Sequence, residues 1–255
     1  MGTILTDSEI ISLREGGKKL VEVFEILKSH IRPGVNLLEL SDIAEKEILA
    51  RDAIPCFKGY EGFPAAACLS ADEQVVHCIP VDRVLKEGEI ITVDMGLSYQ
   101  GINTDAAVTW GVGEISADRK RLLEGTYRAL LAGTDQVRPG IHVNTISAAI
   151  EGVLKASNLT IFKQFVGHGI GHELHEDPYI PNFASGEVGP TLSVNQAIAI
   201  EPITGLGVDQ IITASDGWSV ATADGRPSAH FEHTILVSES GFEVITPLET
   251  LLGSN

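Results

Sequence analysis

LKEGEIITVD at residues 85–94 and LSVNQAIAIE at residues 192–201 read as one element written twice. Each starts at a leucine, passes through polar residues into an apolar stretch and reaches an acid at its tenth position, so each reads as a buried strand carrying a carboxylate, Asp94 or Glu201. A second pair follows downstream. TDAAV (104–108) matches FEHTI (231–235) and superposes Asp105 on Glu232. Upstream, Arg32-Pro33-Gly34-Val35 is echoed by Arg138-Pro139-Gly140-Ile141. Both turns end a helix whose apolar residues recur with a period near 3.6. The first is opened by the capping box Thr6-Asp7-Ser8-Glu9 and carries Ile10, Leu13, Leu20, Val21, Phe24 and Leu27 on its buried side. Its counterpart starts at Ser116 and carries Leu122, Leu123, Tyr127, Leu130 and Leu131. A further helix follows each turn, with Leu37, Leu40, Ile43, Ala44 and Ile48 in one half and Ile146, Ile150, Val153 and Leu154 in the other. The order predicts a duplicated α+β unit about a pseudo-twofold axis, with strands at 88–97 and 104–111 joined by a turn over 98–103, and their counterparts at about 194–201 and 230–237. One domain over residues 1–255 is expected, because either half alone leaves a sheet edge and an apolar face uncovered.

Four acids therefore stand on strands among apolar neighbours. Burying them is costly unless they are paired or bound to a cation. Strand alternation puts Thr92 on the face of Asp94, Ala107 on that of Asp105, and Ala197 and Ala199 on that of Glu201, which leaves room around the carboxylates. A further cluster of ligand-type side chains lies in FVGHGIGHELHEDP, residues 165–178. Its HELH spaces the histidines by three where a helical zinc motif needs four, and Gly169 and Gly171 oppose a helix between His168 and His172. One histidine from a strand or turn, pooled with acids from elsewhere, fits better. Four carboxylates and one imidazole make an oxygen-rich site able to hold two divalent cations about 3.5 to 4 Å apart. Such a pair would activate a water against an amide, with a carboxylate taking the proton.

Composition narrows the setting. A net charge of -17 argues against a nucleic-acid groove, which needs clustered Lys and Arg. The basic run Arg119-Lys120-Arg121 is flanked by Asp118 and Glu124 and reads as a solvated helix face. Cys56, Cys68 and Cys78 cannot pair completely, so a reducing cytoplasm is expected. No apolar run approaches the roughly 20 residues of a membrane span.

Taken together, VVHCIP, VDMG, NTDAA, GHGIGHELHEDP, IEP and FEHT resemble, in order and spacing, the methionine aminopeptidases of the pita-bread fold, and the resemblance covers essentially the whole chain. It implies a curved antiparallel sheet covered by helices, and removal of initiator methionine when the second residue is small. Carried over by position, Asp94, Asp105, His168, Glu201 and Glu232 match the family's ligands for two divalent ions (Mn, Fe, Co or Zn). Asp105 and Glu232 match the bridging pair, and Glu201 also matches the proton shuttle. His77 and His175 match the histidines that bind substrate and stabilise the tetrahedral intermediate. The methionine pocket would draw on Phe57, Tyr60, Phe63, Cys68, Leu174 and Trp218. The short interval from Glu201 to Glu232 is like the type I branch, whose catalytic domain is expected as a monomer acting on nascent N-termini. The ribosome is a further partner the resemblance raises, although the loop from Gly205 to Ser228 sets only Arg226 against Asp209, Asp216 and Asp224. One departure is HCIP where the family has HGIP, so Cys78 replaces a glycine beside His77 and an altered substrate fit is expected. A proline-specific peptidase of the same fold and a binding protein that has lost catalysis are the competing readings.

Overall fold

The computed structural model describes residues 2–248. The predicted helices form as α1 (Asp7–His30), α2 (Leu37–Leu49), α3 (Ala117–Thr134) and α4 (Val143–Ala156). The capping box is present: Thr6 Oγ1 accepts the Glu9 N–H while Glu9 Oε2 accepts the Thr6 N–H. On α1 the buried stripe takes Val23 rather than Val21, which is half-buried, because Leu20, Val23, Phe24 and Leu27 keep one helical face.

The strand Ile90–Tyr99 keeps the expected length but lies two residues further along the chain, Ile102–Gly111 begins two residues earlier than expected, and the turn between them shrinks to Gln100-Gly101. Both turn residues have positive φ, 51° and 80°, as in the primed turns whose twist matches a hairpin. These strands belong to a nine-stranded antiparallel sheet running Ile54–Pro55, Ile90–Tyr99, Ile102–Gly111, Glu232–Ser238, Ala197–Ile200, Val166–Gly169, Glu176–Pro181. Cys68–Ala71 and Gly241–Val244 pair onto it at the side.

The duplication is visible in hydrogen bonds. Gly34 N–H donates to Leu85 O and Leu85 N–H to Val35 O, at 2.8 and 2.9 Å. In the second half Gly140 N–H donates to Leu192 O and Leu192 N–H to Ile141 O, at 2.8 and 3.0 Å. Gly34 and Gly140, with φ of 92° and 75°, supply the left-handed residue each turn needs. The two halves are thus locked by the same joint.

Alternation then sorts the sheet. Val93, Met95, Val108 and Ile200 face the helices and share a core with Phe24, Leu27, Leu130 and Ile146. Asp94, Asp105 and Glu201 point to the other, concave face. Between Glu201 and Glu232 the chain leaves the main sheet. Ile203–Gly205 pairs with Ser228–His230, and Ile211–Thr213 pairs with Val220–Thr222, which pairs with Gln74–Val76. Among the described residues no helix is long and apolar enough to cross a membrane.

Candidate active site

Register brings the acids together. Asp94 pairs with Ala107, and Ala107 with Glu232, so these three lie in a row across adjacent strands and face the same side. Asp105, two residues from Ala107, is on that side as well. Ala199 pairs with Thr234 and with His168, which adds His168 to the face and, two residues beyond Ala199, Glu201. Small residues at Ala107 and Ala199 keep the space between the carboxylates open, as their positions in the sequence imply.

Asp105, His168 and Glu232 each offer an atom within 4.8 Å of the others. His168 Nδ1 lies 2.9 Å from Gly169 O, which ties up that nitrogen and leaves Nε2 facing Glu201 Oε1 at 3.5 Å. Thr234 fixes the Asp105 backbone by accepting its N–H and donating to its carbonyl, while Asp105 Oδ1 accepts the Ala106 N–H. Burial raises all four acids. Asp105 rises to about 7, and Asp94, Glu201 and Glu232 go well above the carboxylate range, with their mutual repulsion adding to desolvation. Glu232 Oε1 has no hydrogen-bond partner. Desolvation also holds His168 at about 3, with the charge of His175 adding to it. A cluster of buried acids with an unprotonated imidazole is unfavourable alone and is relieved by cations, so the donors fit divalent ions.

These groups line a cavity of about 380 Å³, whose wall includes every residue matched to the catalytic, metal and methionine-pocket roles: Phe57, Tyr60, Phe63, Cys68, His77, Leu174, His175 and Trp218, besides the four acids and His168. His175 Nδ1 stands 2.8 Å from the Tyr60 hydroxyl, and its ring meets that of His168 at 4.4 Å. Desolvation lowers the pKa of both His77 and His175. His77 sits at φ 57°, a strained conformation for a non-glycine residue. Its ring is edge-on to Phe165 at 5.8 Å and to Trp218 at 6.4 Å. Trp218 in turn meets Phe63 at 5.3 Å. Asp216 holds the Trp218 turn by accepting the N–H groups of Trp218 and Ser219, both at 2.9 Å. Asp224 accepts the N–H of Val208, so two of the three acids in this loop serve its own backbone.

Cys78 departs from expectation. It is fully buried and outside the cavity wall, with Sγ turned toward Val76 O at 3.4 Å and Val220 O at 3.6 Å. No contact here carries the altered substrate fit. All three cysteines are free thiols.

The cavity also includes His230, Phe165 and Tyr179, which sequence reasoning passed over. His230 was legible in principle, standing two residues before Glu232 and hence on its side of an extended chain. The residue is 2% exposed, and burial holds its imidazole down to about 3, with His77 and His168 adding to the effect.

The model of metallopeptidase family M24 matches residues 12–239. The chain belongs to this family. Among M24 relatives, methionine aminopeptidase 1 of Bacillus subtilis is 43% identical over 241 residues, covering 94% of this chain and 97% of the relative. Two solved methionine aminopeptidases superpose with a TM-score of 0.94. That of Thermotoga maritima is 37% identical and covers 96% of this chain and 99% of its own. That of Rickettsia prowazekii is 35% identical and covers 97% and 100%. The α+β pita-bread architecture and the metallopeptidase class expected from the sequence are thereby borne out.

Proposed function

We propose that this M24 metallopeptidase removes the N-terminal methionine from new polypeptides in the cytoplasm, as a single catalytic domain over the whole chain and as a monomer, preferring a small second residue. The carrying observation is the convergence of five donors and an aromatic, sulfur-lined recess on one cavity. Asp94, Asp105, His168, Glu201 and Glu232 would hold two divalent ions, of Mn, Fe, Co or Zn. Ions held there would supply Lewis acidity toward the scissile carbonyl and a lowered pKa for water.

The chain's own groups do the rest. Glu201, at the cavity edge of its strand, accepts the proton of the attacking water and passes it to the leaving amine. With the Tyr60 hydroxyl donating to His175 Nδ1, the ring carries its hydrogen on Nε2, where it donates to the oxygen that becomes negative. His77, kept neutral by burial, serves as the second donor. Phe57, Tyr60, Phe63, Cys68, Leu174 and Trp218 receive the methionine side chain, since polarisable edges and a thiol suit a thioether. Free cysteines support a reducing compartment.

The test is product release from Met-Gly-Met, Met-Lys-Met and Ala-Pro-Gly, with protein first chelated and then given Mn or Co. Methionine released from Met-Gly-Met alone, and only with metal, is the expected result. Cleavage of Ala-Pro-Gly instead would assign the chain to proline-specific chemistry, and no cleavage with any metal would refute the reading.

A further inference from the structure

His230 is a buried imidazole with nothing to bond to. Neither ring nitrogen has a hydrogen-bond partner, which in a side chain 3% exposed forfeits the usual compensation for burying polar atoms. Its position is nonetheless tightly specified. Thr109 Oγ1 accepts the His230 N–H at 2.9 Å and donates to the His230 carbonyl at 2.8 Å. Since that uses the one hydroxyl hydrogen of Thr109, the 2.8 Å contact with Thr92 Oγ1 must be donated by Thr92. Pairing of His230 with Ile203 places it alongside the segment leaving Glu201, and two residues later the chain reaches Glu232. The ring is therefore held between two of the acids by backbone alone.

Its Nε2 lies 3.6 Å from Glu201 Oε2 and 3.8 Å from Glu232 Oε2. Both distances are too long for hydrogen bonds. They fit a different relation. Two donors each about 2.1 Å from a common ion stand about 3.0 to 3.8 Å apart for angles of about 90 to 130° between them. His168 Nε2 stands in the same relation to Glu201 Oε1, at 3.5 Å. His168 and His230 thus approach the two oxygens of one carboxylate at nearly equal separations.

We propose that His230 is a further donor to the metal centre, presenting Nε2 as a second imidazole beside His168 and tilting the centre toward ions that favour nitrogen ligands. The inference rests on the reading of the acid cluster as a metal centre. Imidazole suits Zn, Fe, Ni and Cu, whereas carboxylate-dominated sets suit Mn and Mg, and cobalt stands above manganese in the general order of affinity. A second nitrogen would strengthen cobalt binding more than manganese binding.

The test uses the full chain after chelation. Isothermal titration with Co(II) and, separately, Mn(II) gives an affinity ratio for the wild type, His230→Ala and His230→Gln, the last keeping a polar side chain of similar reach. Both variants are expected to lose about tenfold or more in cobalt affinity at one site and much less for manganese, and to shift the visible absorption of the bound cobalt. An unchanged ratio with superimposable spectra, in variants whose circular dichroism matches the wild type, would overturn the proposal. The wild type alone supplies a second readout free of folding effects. In the proton NMR spectrum of the cobalt-loaded protein, hyperfine-shifted exchangeable imidazole N–H signals count the coordinated histidines. Two such signals are expected, and a single one overturns the assignment. If the wild type binds neither metal, the metal-centre reading itself fails, and this inference with it.

Discussion

The two halves deliver the same chemistry by different routes. In the first, Asp94 and Asp105 lie on one ten-on-ten hairpin, closed by Gln100-Gly101 and paired without interruption from Ile90 to Gly111. In the second, Glu201 follows the end of Ala197–Ile200 and Glu232 opens the neighbouring strand, but the chain between them departs into two small sheets before returning. The hairpin supplies two carboxylates and little else. The excursion supplies the same two, plus Trp218 over the cavity and His230 behind it. Duplication has set the acids, and the asymmetric insertion has added the groups that shape the pocket.

The sharpest way to break this comparison is to remove one acid from each half. Asp105→Ala and Glu201→Ala should each reduce turnover by about 10³-fold or more, since each loses a donor and Glu201 also loses the proton acceptor. Metal content should fall in both, with circular dichroism unchanged. If Glu201→Ala kept wild-type turnover, the equivalence of the halves would be topological only. His77→Ala, outside the acid face, should lower turnover by about 10²-fold while leaving metal content intact. Lost metal in that variant would move His77 into the donor set.

A milder test strikes the excursion alone. Trp218→Ala removes the ring that meets Phe63 and His77, and should raise KM for a methionyl peptide about tenfold with kcat altered less. Asp216→Ala leaves the Trp218 and Ser219 N–H groups without their acceptor and should give the same pattern at a few-fold. Equal losses of kcat in both variants would mean the loop orders the reacting atoms rather than the side-chain pocket.

The acids, the helices and the duplication were legible in the sequence because each follows from a short local period or a turn residue with one conformational option. Val21 and Val23 show the resolution of such reading, for both lie near the apolar stripe and only packing selects between them. Cys78 shows a different limit. Sequence places it beside His77, but the left-handed φ of His77 turns the neighbouring side chain away from the cavity. His230 lies within a local spacing of Glu232, but its closeness to Glu201 comes only from the long-range pairing with Ile203 that returns the excursion to the sheet.

The acids of both halves should also titrate as one cluster once metal is removed, and stability reads this directly. The folded-state pKa of Asp105 is raised to about 7, and those of Asp94, Glu201 and Glu232 are raised well above their unfolded values near 4. A raised group stabilises the fold fully below its unfolded pKa and loses that contribution as pH climbs through the folded pKa. Chelated protein should therefore melt several degrees lower at about pH 8 than at about pH 5, because the upper value forces ionisation of buried, mutually repelling carboxylates. Added Mn or Co should raise the melting temperature most at the higher pH, since the ions compensate the charges that form there. Asp105→Asn in the chelated protein should flatten the profile, as one of the repelling members is gone. A chelated wild type whose melting temperature rose across that interval would show that the four carboxylates are solvated independently, and the single concave face built by the two halves would lose its electrostatic unity.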